Sequence, residues 1–144
     1  MSNPILEKMQ SFSTAHGKDL TIDGIKWRYY RLGQGPAVVW LTGAIRRAAY
    51  GFGFMELLAR KYTVLAPDYP TLQTFTQFDA GLTAILRAEG IERIHLGCQS
   101  YGGILAQPYL ALHPAAVDRL VLSSTGPADY GPAGLPVESL AIGL

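Results

Sequence analysis

The chain has 144 residues, of which 49% are hydrophobic and only 16% charged, with a net charge of +1. That length suffices for one domain with a core, and the near-zero charge gives no electrostatic case for nucleic acid or an anionic membrane. No apolar run approaches the ~20 residues needed to span a bilayer, and the single cysteine, Cys98, excludes an internal disulfide and any multi-cysteine metal site. The first residues lack the layout of a signal peptide, so the expected location is cytoplasmic.

In chain order, residues 1–20 read as an irregular N-terminal arm. Leu20 to Ile22, the Asp23-Gly24 pair, and Ile25 to Arg31 predict a β-hairpin with an Asp-Gly turn. Ala37-Val-Val-Trp-Leu41 is a continuous apolar run, as expected of a strand buried on both faces. Residues 52–60 predict a short helix, and Thr63 to Ala66 another buried strand, ended by Pro67 and Pro70. Phe78, Leu82, Ile85 and Leu86 fall on one face of a helix over 76–89 that stops at Gly90. Ile94 to Gly97 is a strand, Tyr101 to His113 a helix stopped by Pro114, and Arg119 to Ser123 a last strand. Residues 126–144 are rich in Gly, Pro and Ala and then turn apolar, which reads as the start of a cap region. Strands alternating with helices predict an α/β fold, a mostly parallel sheet with helices on both faces.

The segment Leu96-Gly-Cys-Gln-Ser-Tyr-Gly-Gly103 stands between a strand and a helix. A strand, a sharp turn on a serine and a helix is the layout of a nucleophile elbow. The turn sets the Ser100 hydroxyl at a helix N-terminus, where backbone N–H groups and the dipole favour developing negative charge.

Three segments resemble the N-terminal part of an α/β-hydrolase. They are Val38-Val-Trp-Leu-Thr-Gly-Ala44, Val64-Leu-Ala-Pro-Asp-Tyr-Pro70, and Gln99-Ser-Tyr-Gly-Gly103 with His113-Pro114 and Leu120 to Ser124. The resemblance covers Thr21 to Ser124, and the Pro67-Asp-Tyr-Pro70 and Gln99-Ser-x-Gly-Gly patterns are similar to maspardin-like members, some of which are thought to bind partners rather than catalyse. It implies a serine hydrolase of ester-like carbonyl substrates, with Ser100 as nucleophile and the backbone N–H groups of Tyr101 and Ala44 as the oxyanion hole. It also implies that the acid follows the seventh strand and the activating histidine the eighth, both beyond Leu144, so the chain reads as one C-terminally incomplete domain with about six of eight strands. No cofactor or metal is implied. The expected partners are a small-molecule substrate and either a second copy or a complementing C-terminal segment to cover the apolar edge strand Leu120 to Ser123. A non-catalytic binding protein on the same fold, or an inactive fragment, is the alternative.

The chain's own histidines do not stand in for the missing base. His113 is at the far end of the helix from Ser100, about 20 Å away at ~1.5 Å per residue. His95 belongs to the strand below the turn and His16 to the arm. Asp68 reads as a loop or capping residue and Cys98 as a buried structural thiol. Arg46 and Arg47 read as a solvated loop pair, with contact to a substrate carboxylate as the sharper option. Two residues depart from the family pattern: Thr42 replaces the usual histidine before the oxyanion glycine, and Cys98 replaces the usual glycine two before the serine.

Overall fold

The computed structural model describes residues 2–128. Helix α1 (Pro4–His16) leads into a hairpin of β1 (Gly17–Ile22) and β2 (Ile25–Leu32). Strand β3 (Ala37–Leu41), a 3-10 turn (Ala48–Gly51), α2 (Phe52–Leu58), β4 (Thr63–Pro67) and α3 (Phe75–Ala88) follow. The described chain closes with β5 (Ile94–Gln99), α4 (Tyr101–Leu112) and β6 (Val117–Ser123).

The six strands form one sheet in the order β1-β2-β4-β3-β5-β6. The pairs β1–β2 and β2–β4 are antiparallel; β4–β3, β3–β5 and β5–β6 are parallel. This is the mostly parallel α/β sheet that the alternating elements predict. The hairpin turns on Asp23 and Gly24, both at positive φ (50° and 78°), as a turn matched to the twist of its strands requires.

Helices cover both faces of the sheet. On one, Phe75, Phe78, Leu82 and Ile85 of α3 and Leu105 and Tyr109 of α4 pack on Trp27, Leu41, Leu65 and Leu96. Gly81 is what lets α3 come this close, because a Cβ there would run into the Trp27 indole. On the other face, Phe12 of α1, Ala48, Ala49 and Met55 pack on Tyr30, Leu32, Val64 and Ala66. A capping box starts α3: Thr74 accepts from the Gln77 N–H and the Gln77 side chain accepts from the Thr74 N–H.

The irregular arm expected over residues 1–20 is corrected to a helix running into a strand. Asn3 caps α1 by accepting from the N–H groups of Ile5 and Leu6, Pro4 occupies the first turn, and Phe12 is buried against Tyr30 (ring centroids 5.4 Å apart). Phe12 is the one buried residue of α1, so no apolar stripe marks the helix in a periodicity reading.

The expected apolar edge is present. Strand β4 is buried at every position, whereas Val121 and Leu122 of β6 are 63% and 46% exposed. The cap region expected over 126–144 lies, beyond Ala128, outside the described residues. No helix among the described residues is long and apolar enough to cross a membrane.

Candidate functional site

The chain leaves β3 for β4 on one side and reaches β5 on the other, so β3 and β5 are neighbours that diverge in direction of travel. Open α/β sheets bind ligands at such a switch point, outside the carboxyl ends of the strands. Ser100 stands there, between the end of β5 and the start of α4.

Its backbone is left-handed, at φ 50° and ψ −119°. For a residue with a Cβ this conformation costs about 1–3 kcal/mol and persists only where surrounding contacts fix it. Those contacts are explicit. The Ser100 N–H donates to the Ser123 carbonyl (2.9 Å). The Ser100 carbonyl accepts from the Gly103 N–H (2.9 Å) and the Thr125 hydroxyl (2.6 Å). Two glycines let the turn seat: a Cβ on Gly102 would strike the Leu41 carbonyl of β3, and one on Gly103 the Thr125 side chain. The Ser100 side chain does not cap α4 and is exposed.

The loop after β3 comes to the same place. A Cβ on Gly43 would lie 3.5 Å from the Ser100 Cβ and 4.0 Å from its Oγ. The Arg46 N–H donates to the Gly43 carbonyl (3.0 Å), closing a turn through Ala44. Thr42 is buried, and its carbonyl accepts from the Tyr69 hydroxyl (2.6 Å). Tyr69 also meets the Tyr101 ring edge-on (6.1 Å). Burial holds the Tyr69 phenol well above its ordinary pKa, as do the nearby Cys98, Tyr101 and Asp68. Thus it stays a neutral donor. The Gly43 turn after β3 and the Ser100 turn after β5 thus lie against one another at the carboxyl edge of the sheet.

Other expected residues fall elsewhere. His113 pairs with Asp79 (Nε2 to Oδ1, 2.5 Å) and stacks on Tyr109 at the far end of α4. His95 lies at the start of β5, against the Tyr62 ring. His16 ends α1 beside Phe12. None of the chain's three histidines stands beside Ser100. Cys98 is buried, its thiol pointing at the Val121 carbonyl (3.0 Å), and burial pushes its pKa up to about 11, which disfavours the reactive thiolate.

Asp68 caps the 3-10 turn by accepting from the Ala48 N–H (2.7 Å). Burial raises its pKa, against the pull of that N–H and of Arg47 and Arg28. Arg46 corrects the expectation of a solvated pair. Held at φ 65°, it donates to the Tyr69 carbonyl (3.0 Å) and the Pro70 carbonyl (2.5 Å), strapping the loop after β4 to the loop after β3. Arg47 alone is exposed. A cavity of about 370 Å³ lies between these loops, lined by Ile45, Arg46, Arg47, Asp68, Tyr69 and Thr71.

Sequence reasoning missed Thr125, Gln107 and Tyr69. Gln107 clips the loop after β6 onto α4: its amide donates to the carbonyls of Gly103 (3.0 Å) and Gly126 (2.8 Å) and accepts from the Ala128 N–H (3.2 Å). All three are contacts across long sequence separations, which no local pattern encodes.

No family model matches the sequence. An uncharacterized protein of Mycobacterium tuberculosis is 28% identical over 139 residues, covering 86% of this chain and 41% of its own. Among solved structures, Cfl2 of Burkholderia cenocepacia is 28% identical with a TM-score of 0.73, covering 85% of this chain and 46% of that one. An epoxide hydrolase variant of Vigna radiata is 22% identical with a TM-score of 0.73, covering 81% and 40%. The chain thus spans less than half the length of the proteins it matches.

Proposed function

We propose that this chain, an α/β-hydrolase-fold protein by its sheet order and its solved neighbours, supplies the nucleophile and oxyanion donors of a serine hydrolase. Its substrates are small molecules with an ester-like carbonyl. Ser100 is the nucleophile on a nucleophile elbow, and the backbone N–H groups of Ala44 and Tyr101 receive the oxyanion.

The observation that carries this reading is the left-handed Ser100 backbone, pinned from three sides at the switch point of the sheet. Ser124 shares the positive φ (49°), so what distinguishes Ser100 is that conformation together with its place between β5 and the start of α4. The residue is exposed at the carboxyl edge, with the Gly43–Ala44 turn against it. The epoxide hydrolase neighbour supports hydrolysis as a use of this fold, and the serine at the turn points to acyl transfer.

In that reaction the Ser100 Oγ bonds to the carbonyl carbon while its proton passes to a histidine. The carbonyl oxygen becomes an oxyanion held by the two N–H groups. Collapse of this intermediate expels the alcohol, which takes the proton, and leaves an acyl-serine for water to cleave. A serine hydroxyl does not do this unaided. With no histidine of this chain beside Ser100, the reading draws the base and its acid from sequence beyond Leu144, in the part of the related proteins that the chain does not span.

The absence of a base beside Ser100 also favours a second reading, a non-catalytic binding protein on the same fold. Hydrolysis of a short-chain p-nitrophenyl ester by the full-length protein separates the two. The hydrolase reading expects turnover that falls by at least ~10³-fold in Ser100→Ala, in line with the loss of a nucleophile. Turnover equal in both proteins, or none in either, favours the binder.

A further inference from the structure

Ser100 is one of four non-glycine residues with a left-handed φ among the described residues, and their placement is uneven. Asp23 is in the hairpin turn. The other three follow strand ends on the same edge of the sheet: Arg46 after β3, Ser100 after β5 and Ser124 after β6 (φ 49°). The Ser124 turn carries the chain back over α4, so that Thr125 reaches Ser100 rather than continuing away from β6.

We propose that Thr125 is a positioning residue for Ser100: its hydroxyl, donated to the Ser100 carbonyl at 2.6 Å, holds the left-handed turn that presents the Ser100 side chain. This rests on the hydrolase reading and adds to it a residue outside the nucleophile, base and oxyanion donors.

Four observations converge. The bond goes to the carbonyl of the strained residue itself. That same carbonyl accepts the Gly103 N–H, so Thr125 occupies the second acceptor position at the start of α4. Gly103 leaves the space that the Thr125 side chain fills, since a Cβ there would collide with its Oγ1, Cβ and Cγ2. Finally, the loop that carries Thr125 is fixed at both sides. Ser123 accepts the Ser100 N–H before it, and Gln107 grips Gly126 and Ala128 after it. A hydroxyl held by such a frame is preorganised, and its bond opposes relaxation of Ser100 toward ordinary helical φ. Displacement of a reacting group by ~1 Å costs on the order of 10²-fold in rate.

The test compares Thr125→Val, which keeps the shape and removes the donor, with Thr125→Ser, which keeps the donor. Both are made in the full-length protein and read with a fluorophosphonate that phosphonylates Ser100. The expected result is a maximal labelling rate lower by about 10–100-fold in Thr125→Val, with the half-saturating probe concentration unchanged. Thr125→Ser should stay within about 3-fold of the parent. A Thr125→Val rate equal to the parent's, or a Thr125→Ser rate as low as that of Thr125→Val, overturns the proposal and leaves the hydrolase reading standing. No labelling of the parent instead removes the hydrolase reading. Amide hydrogen exchange at Ser100 and Gly103 then decides. Faster exchange in Thr125→Val than in Thr125→Ser retains Thr125 as the residue that holds the turn; equal exchange overturns that too.

Discussion

Strand β4 and the Leu120–Leu122 run of β6 are both apolar and both parallel to their β3 and β5 neighbours, yet they live in different surroundings. Every residue of β4 is buried, between α3 on one face and the α1–α2 layer on the other. Among the described residues strand β6 has one neighbour, β5, and most of its residues are exposed. Apolarity in a strand therefore reports what it is built to meet. The meeting itself depends on elements elsewhere in the chain, or in the longer proteins of which this chain spans less than half. Ser100 sits between the two regimes: one wall of its turn is the packed β3 edge, and the other is the end of β6.

The largest effect that would sharpen this contrast is at Trp27. It is fully buried where α3 presses on β2 through Gly81. Trp27→Ala should cost about 3–5 kcal/mol in denaturant unfolding, and a cost near zero would mean that the covered region is not the stable part of the molecule. Next comes Tyr69→Phe, which leaves the Thr42 carbonyl without its hydroxyl donor. It should lose about 1 kcal/mol of stability. If the Gly43–Ala44 turn depends on this bond, the variant also slows Ser100 chemistry.

A third prediction concerns acid. Burial alone would raise the Glu89 pKa, but hydrogen bonds from Lys18 and Tyr29 and the charges of Lys18 and Arg31 outweigh it, and the carboxyl ends below its ordinary value. The group therefore stabilises the fold above its unfolded pKa of about 4.3, and that stability disappears as pH falls through the lower folded value. Glu89→Gln should flatten this acid limb of the stability curve, leaving a nearly pH-independent deficit above it. An unchanged acid limb would show that the Glu89 cluster, which ties α3 to β1 and β2, adds nothing. The smallest effect is at the edge. Val121→Ala in the 144-residue chain should change stability by less than about 0.5 kcal/mol, since the side chain is 63% exposed. A cost matching that of a buried valine would erase the contrast between the strands.

Much of this was legible locally. The runs Ala37 to Leu41, Thr63 to Ala66 and Ile94 to Gly97 are short, apolar and bounded by Gly or Pro, so their identity as buried strands does not depend on the rest of the chain. The Ser100 turn was legible for the same reason, with glycines at the two positions that α4 needs to approach β3 and Thr125. Helix α1 was not. Its burial rests chiefly on Phe12, and its clearest signal, Asn3 before Pro4, is a capping pattern rather than a periodic one. Arg46 was misread because its acceptors are main-chain carbonyls of Tyr69 and Pro70, which leave no mark in side-chain identity. Thr125 was invisible because a hydrogen bond to a residue 25 positions away is written in topology, not in spacing.

Whether the strained, exposed Ser100 is a nucleophile decides between a hydrolase and a binding protein on this fold. Intact-protein and peptide mass spectrometry after fluorophosphonate treatment of the full-length protein reads this directly. A single adduct on the peptide that contains Ser100, absent from Ser100→Ala, is the predicted result. A folded protein that takes no adduct, or takes it at another residue, contradicts the account.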